Sequence, residues 1–230
     1  MMQVPTGLLL DFGNVISYSL FETHAATEKV LGLAAGSLTW LGPLAPTSDA
    51  LWAAMQRDEI SERDYWAQRA LELGRACGEE GWDMMTVQER VRHQAPETMM
   101  RAPTRALVAA AKRRGIKVGI LSNELELFHG KPFLEQMEIM SDIEVLIDGS
   151  RSHILKPDPA AYAAAIAAMG MPAERLLFAD DQFRNIVGAQ QAGLQTQYFD
   201  LRDPLGCIAA IAARLRLPLE TETTLTPGTC

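Results

Sequence analysis

Short apolar runs that stop at polar residues alternate with stretches of helical spacing over much of this chain. Leu8, Leu9 and Leu10 form the first such run. It stops at Asp11 and continues Phe12-Gly13-Asn14-Val15. A run of this length, bounded by Gly and Asn, reads as a buried strand. From about 18 to 33 the apolar residues recur at helical spacing, with Gly32 and Gly36 at the end. Three more helices follow: one capped by Ser48 and running to about 57, one from Ser61 to about 73, and one opened by Thr86 and Glu89. Ser61 followed by Asp64 resembles a capping box. Residues 17–98 therefore read as all helix. A helical block inserted after a buried strand predicts a cap, so the expected division is 1–16 with 99–230 as core and 17–98 as cap.

From Pro103 the pattern changes to strand–helix alternation. Helices are expected at 104–114, 132–137, 160–169, 185–192 and 208–215. Strands are expected at 116–121, 143–147, 176–179 and 196–199. Pro157 and Pro159 fit a helix start, and the Thr-rich end after Pro218 reads as a loose tail. This alternation predicts an α/β fold with a parallel, Rossmann-like sheet carrying the inserted helical cap.

Composition narrows the classes. The chain has 230 residues, 48% hydrophobic and 22% charged, as in ordinary soluble proteins. A net charge of -8 leaves no footprint for nucleic acid or an anionic membrane. No apolar run reaches the roughly 18 residues of a membrane span, and the first residues lack a signal-peptide pattern. Cys77, Cys207 and Cys230 are far apart and odd in number, which suits reduced cytoplasmic thiols. His24, His93, His129 and His153 show no metal-type spacing and read as packing or surface residues. Trp52 and Trp66 read as cap packing. Monomer and homodimer both fit.

Four strands end in polar residues: Asp11, Ser122 with Asn123, Asp148, and Asp180 with Asp181. Lys156 lies on a loop between two of them. In a parallel sheet these ends share one edge. A carboxylate there can attack phosphorus and become an aspartyl-phosphate. Phosphoryl transfer needs its oxygens neutralised, usually by Mg²⁺ with a Lys or Arg. Asp180 and Asp181 are hard oxygen donors of the kind Mg²⁺ takes. Lys156 offers a compact positive charge beside the nucleophile. Each feature alone is an ordinary turn, cap or solvated loop; their order and placement together are specific.

The pieces LLLDFGNVI, VGILSN, ILKPDPAAY and LLFADDQFRNIVGAQQAG resemble the haloacid dehalogenase-like (HAD) superfamily over the core. The resemblance implies a Mg²⁺-dependent phosphatase acting on a small phosphorylated metabolite. Its nucleophile falls on Asp11, its phosphate-binding hydroxyl on Ser122 with Asn123 beside it, and its lysine on Lys156. The implied metal ligands are Asp11, the Gly13 carbonyl, Asp180 and Asp181. The implied substrate contacts are Gly13, Asn14, Ser122, Asn123 and Lys156. Family phosphatases usually carry Asp where Gly13 stands, as general acid and base. Losing that group costs roughly 10²–10⁴-fold in rate. The DxGNV pattern resembles a branch with glucose-1-phosphate-type phosphatases, which points to sugar phosphates. Two alternatives stand beside this reading. A 2-haloacid dehalogenase needs an aromatic two positions after the nucleophile and an Arg about thirty residues on; here the first Arg is Arg57. A non-catalytic binding protein suits Gly13 but has no need of the nucleophile.

Overall fold

The computed structural model describes residues 3–93 and 96–218; the tail expected after Pro218 lies outside the described residues. Five strands form one parallel sheet: β1 (Gly7–Leu10), β2 (Lys117–Ser122), β3 (Val145–Asp148), β4 (Leu176–Asp180) and β5 (Gln195–Tyr198). Their order is β3-β2-β1-β4-β5. β1 is central, pairing with β2 through Leu10 and Ile120 and with β4 through Leu10 and Ala179.

Side chains alternate across a strand, so β1 feeds two cores. Leu8 and Leu10 join Val118, Ile120, Leu177 and Ala179 on one face. Leu9 joins Leu121, Phe178 and Tyr162 on the other. Helices bury both faces, which is why the inner strands β1 and β4 read as nearly unbroken apolar runs. Gly119 in β2 shows how close this packing is: a Cβ there would lie 3.0 Å from Met169 Sδ and 2.9 Å from Leu9 Cδ2. The inserted helices are α1 (His24–Leu31), α2 (Ala50–Gln56), α3 (Glu62–Ala76) and α4 (Met84–Val91). They enclose a third cluster, with Phe21, Trp40, Trp52, Tyr65, Trp66 and Leu73. Both tryptophans expected as packing residues are in it. The core helices are α5 (Ala102–Arg113), α6 (Pro159–Met169), α7 (Phe183–Gln191) and α8 (Pro204–Arg214).

The chain leaves the core and returns to it at one point. Ser17 and Met100 form an isolated antiparallel bridge, with Tyr18 N donating to Met99 O at 2.8 Å. Arg101 N donates to Ile16 O, also at 2.8 Å. The cap thus hangs on two adjacent, paired strands of chain.

The element boundaries differ from the sequence expectation where side chains compete with the backbone. The first cap helix starts at His24, six residues late. Ser19 and Glu22 bond each other's backbone N–H (3.0 and 2.9 Å) and hold the intervening chain as a turn. The cap of α2 is Asp49, not Ser48, and that of α4 is Asp83, with Thr86 donating to it. A carboxylate at a helix start also meets the positive end of the dipole. The capping box of Ser61 and Asp64 is present. Helix 132–137 shrinks to Lys131–Leu134. The α6 cap is Asp158, so only Pro159 opens that helix.

Candidate active site

The parallel register brings the polar strand ends to one edge. Asp11 follows β1 and is tied to β4 by its N–H, which donates to Ala179 O at 2.9 Å. Ser122 ends β2 and Asp180 ends β4. After Asp11 the chain makes a tight loop, Phe12–Ile16, closed by Ser17 N donating to Phe12 O at 3.0 Å. Asn14 sits in this loop at φ 67°, a left-handed conformation uncommon outside glycine. Its strain is offset at both ends. Its side chain donates to Asp181 Oδ2 at 2.8 Å, and its carbonyl accepts from Arg101 Nη2 at 3.0 Å.

At the centre Lys156 Nζ lies 2.9 Å from Asp11 Oδ1 and 2.7 Å from Asp180 Oδ2, all three side chains buried. Asp11, Asp180 and Asp181 each offer an oxygen within 4.8 Å of the others. Their oxygens are not equally free. Asp180 accepts from Gln182 N, from Asn185 Nδ2 and from Lys156, so both its oxygens are engaged. Asp11 takes Phe12 N and Lys156 on the same atom, Oδ1. Its Oδ2 has no protein donor among the described residues.

The lysine is held by its own backbone. Asn123 Oδ1 accepts from Lys156 N at 2.7 Å, and Asn123 Nδ2 donates to Lys156 O at 3.2 Å. Asn123 thus fixes the loop that delivers the ammonium. Asp148, the remaining polar strand end, serves another purpose. It accepts from Ser150 N and Glu126 N, and so ties together the starts of two short helices, Gly149–Ser152 and Leu125–His129.

Burial drives the electrostatics. It pushes the Asp11 carboxyl up, to about 7, against the pull of Lys156 and with the help of Asp180. Burial raises Asp181 well above the usual carboxylate range, and Asp180 and Asp11 add to it. Burial alone lowers the Lys156 ammonium, but the charges of Asp11 and Asp180 outweigh it and raise it. Three carboxylates against one ammonium leave an excess of negative charge that a divalent cation relieves.

A cavity of about 80 Å³ opens on this cluster. Asp11, Gly13, Asn14, Ser122, Asn123, Lys156 and Asp181 all line it, as the sequence anticipates. Asp180 stands behind Lys156, fully buried. A Cβ at Gly13 would meet nothing within 4 Å, so that position faces open space. The cap supplies the opposite wall through Glu62, Trp66, Met84, Gln88 and Arg92. Sequence reasoning missed Glu62, Met84, Gln88 and Arg92, along with Arg101 and Asn185; Trp66, read as cap packing, both packs in the cap core and lines the cavity. The same reasoning placed His129 with surface or packing residues; the ring does pack, against Phe12 and Phe133, and the residue also lines the cavity. Arg101 binds Glu22 and stacks on Tyr18, with the guanidinium 4.6 Å from the ring, while holding the Asn14 carbonyl. Of these, only α4 carried a signal: Met84, Gln88 and Arg92 recur every four residues.

Comparison with known proteins agrees with this geometry. The sequence model of the haloacid dehalogenase-like hydrolases matches residues 6–193. The chain is similar to a phosphoglycolate phosphatase of Rhodospirillum rubrum, 26% identical over 91% of this chain and 86% of that one. It is also similar to a phosphatase of Mycobacterium tuberculosis, 32% identical over 42% of this chain, a match spanning 44% of the mycobacterial protein. Its fold is like that of a putative HAD hydrolase of Bacillus subtilis bound to magnesium, with TM-score 0.62, 16% identity, and 86% and 87% of the two chains covered. With residues 6–193 matched, and a buried lysine–carboxylate cluster at the end of the central strand beneath a helical cap, the chain belongs to the haloacid dehalogenase-like hydrolase family.

Proposed function

We propose that this hydrolase is a Mg²⁺-dependent phosphomonoesterase that acts on a small phosphorylated metabolite through Asp11. The observation that carries this reading is the buried cluster of Asp11, Asp180, Asp181 and Lys156 opening on a small cavity. Asp11 Oδ2, without a protein donor, is the attacking atom. It bonds to phosphorus, the bond from phosphorus to the alcohol oxygen breaks, and the alcohol leaves with a proton from water. Water then attacks the aspartyl-phosphate, releases phosphate and restores the carboxylate. Lys156 and the Ser122 hydroxyl hold the phosphate oxygens, with Gly13 and Asn14 amides beside them. Mg²⁺ fits the cluster, because three carboxylates with oxygens within 4.8 Å of one another share a single ammonium. Asp11, Asp181 and the Gly13 carbonyl would hold it, with Asp180 steadying Lys156 at the rim; bound there, it neutralises charge on the transferring group. Residues 17–98 act as one cap that excludes bulk water.

The relatives named above are phosphatases, which favours phosphorus over carbon as the centre attacked. The test is phosphate release from a panel of sugar phosphates, nucleotides and short alkyl phosphates, with Mg²⁺ and with chelator. Release that requires Mg²⁺ is expected. Release unaffected by chelator, or chloride release from 2-chloropropionate with no phosphatase activity, overturns the proposal.

Gly13 bears on which esters react. With no acid at that position, an ester whose alcohol leaves easily, such as an anomeric phosphate, loses least rate, while the rest of the cavity decides which alcohol binds. Equal rates on alkyl phosphates and sugar 1-phosphates would count against that ordering. Gly13 has φ -61° and ψ 132°, which any residue adopts, and open space around its Cβ. Gly13→Asp should therefore fit and supply the missing acid. We expect kcat/KM on alkyl phosphates to rise about 10–100-fold, within the range a general acid contributes. A plot of rate against leaving-group pKa should flatten; an unchanged slope means that the restored carboxyl does not reach the leaving oxygen.

A further inference from the structure

One cation on this cavity has no part in the chemistry proposed above. Arg92 is 9% exposed and lines the same cavity as Asp11 and Lys156. It ends α4, one turn beyond Gln88 and two beyond Met84, so the three form a stripe facing the cavity. Nη1 of Arg92 donates to the Tyr18 carbonyl at 2.8 Å, and Nη2 to Thr23 Oγ1 at 3.2 Å. A guanidinium carries five N–H groups, so most of its donors remain. Among the described residues no carboxylate lies within 4 Å of it. Glu22, whose field reaches it, is taken by Arg101 at 3.0 and 2.8 Å. Burial lowers the Arg92 pKa, to about 10, a sign that its charge is poorly compensated.

Gln88 is a second, separate observation. It is 5% exposed, lines the cavity, and its Oε1 is buried without a hydrogen-bond partner. Its amide can turn to present either the oxygen or the N–H₂ group. A buried unpaired cation beside an unpartnered amide is unfavourable unless something fills the space between them. Nearby His129 does not add charge: burial, Arg92 and His93 hold its pKa well below the ordinary value.

We propose that Arg92 and Gln88 form a carboxylate subsite, so that the substrate is a short phosphorylated hydroxy acid. Its phosphate lies at Asp11 and Lys156, and its carboxylate at the end of α4. This rests on the phosphatase reading and narrows its substrate class. A planar carboxylate matches the guanidinium fork. A neutral sugar hydroxyl would leave the charge unbalanced.

The test uses the full chain loaded with Mg²⁺. Calorimetry compares phosphonoacetate with its neutral amide and with inorganic phosphate, in wild type, Arg92→Gln and Arg92→Lys. Turnover compares 2-phosphoglycolate with ethyl phosphate. In wild type, phosphonoacetate should bind about 10–100-fold more tightly than the amide, as a charged hydrogen-bonded pair implies. Arg92→Gln should erase that ratio, and Arg92→Lys should keep part of it. The loss on 2-phosphoglycolate should fall mainly on KM. Arg92 also fastens the 18–23 turn. If fastening were its only role, Arg92→Gln would weaken both ligands equally, and that result overturns the inference. So does equal affinity for acid and amide in wild type, or a preference for ethanediol bisphosphate over phosphonoacetate. Phosphate binding without the acid preference sinks this inference alone. No binding of any probe, with no phosphate released from any ester, sinks the phosphatase reading with it.

Discussion

Replacing Asp11 by Asn ends turnover: phosphate release should fall about 10⁴-fold or more, the scale seen when a covalent nucleophile is removed. The substitution keeps the side-chain shape and the acceptor for Phe12 N, which lies 2.8 Å from Oδ1. The fold should stand, and a native circular dichroism spectrum checks this. An amide cannot take the phosphoryl group, so no acyl-phosphate forms and water has no intermediate to attack. The cation site also weakens, because one of three converging carboxylates is lost. Binding should outlast chemistry: inorganic phosphate should still bind Asp11→Asn, since Lys156 and Ser122 remain. The decisive measurement is rapid-quench labelling with a ³²P-labelled substrate, which should mark the wild type and leave Asp11→Asn unmarked. Turnover in Asp11→Asn within tenfold of wild type would move the nucleophile elsewhere.

The core and its reacting end were legible because they rest on local rules. Apolar runs broken by Asp, Ser-Asn and Asp-Asp have few solutions besides parallel strands ending on one edge. Asp11, Ser122, Lys156 and Asp181 accordingly meet on one cavity. The division of labour among them was not legible. That Asp180 has both oxygens engaged while Asp11 keeps Oδ2 free depends on Asn185 and Gln182, whose side chain and amide arrive from α7 and its cap. Asp148 has the same strand-end signature as Asp180, yet its oxygens hold the first turns of two short helices. No local pattern separates the two cases. The cap wall was hidden for another reason. Arg92 lies 81 positions after Asp11, and only the docking of α4 over the sheet edge brings it near. Helix starts slipped by one to six residues where Asp49, Asp83 or the Ser19–Glu22 turn outcompeted the simpler reading.

Lys156→Met should be the most destabilising change in the site, and its cost should depend on pH in a particular direction. Met is unbranched like Lys and only one atom shorter, but carries no charge. Its introduction leaves Asp11 and Asp180 buried without their shared cation, which lies 2.9 and 2.7 Å from them in the native protein. Removing one partner of a buried ion pair costs about 3–5 kcal/mol near neutral pH, or on the order of 10 °C in Tm for a chain this long. The Asp11 carboxyl already sits near 7 with the ammonium beside it, raised by burial, and without Lys156 it must rise further. A carboxyl with a folded pKa above its unfolded value near 3.8 favours the fold while protonated. That stability is present at acid pH and is lost as pH climbs through the folded pKa. In Mg²⁺-free buffer the deficit of Lys156→Met should therefore be small at pH 5 and large at pH 8, read as the difference in Tm from wild type. Added Mg²⁺ should recover part of it at pH 8, because the ion replaces some of the missing positive charge. A deficit of equal size at both pH values would mean that Met fails by packing alone, and that the charge of Lys156 is not what steadies the two carboxylates.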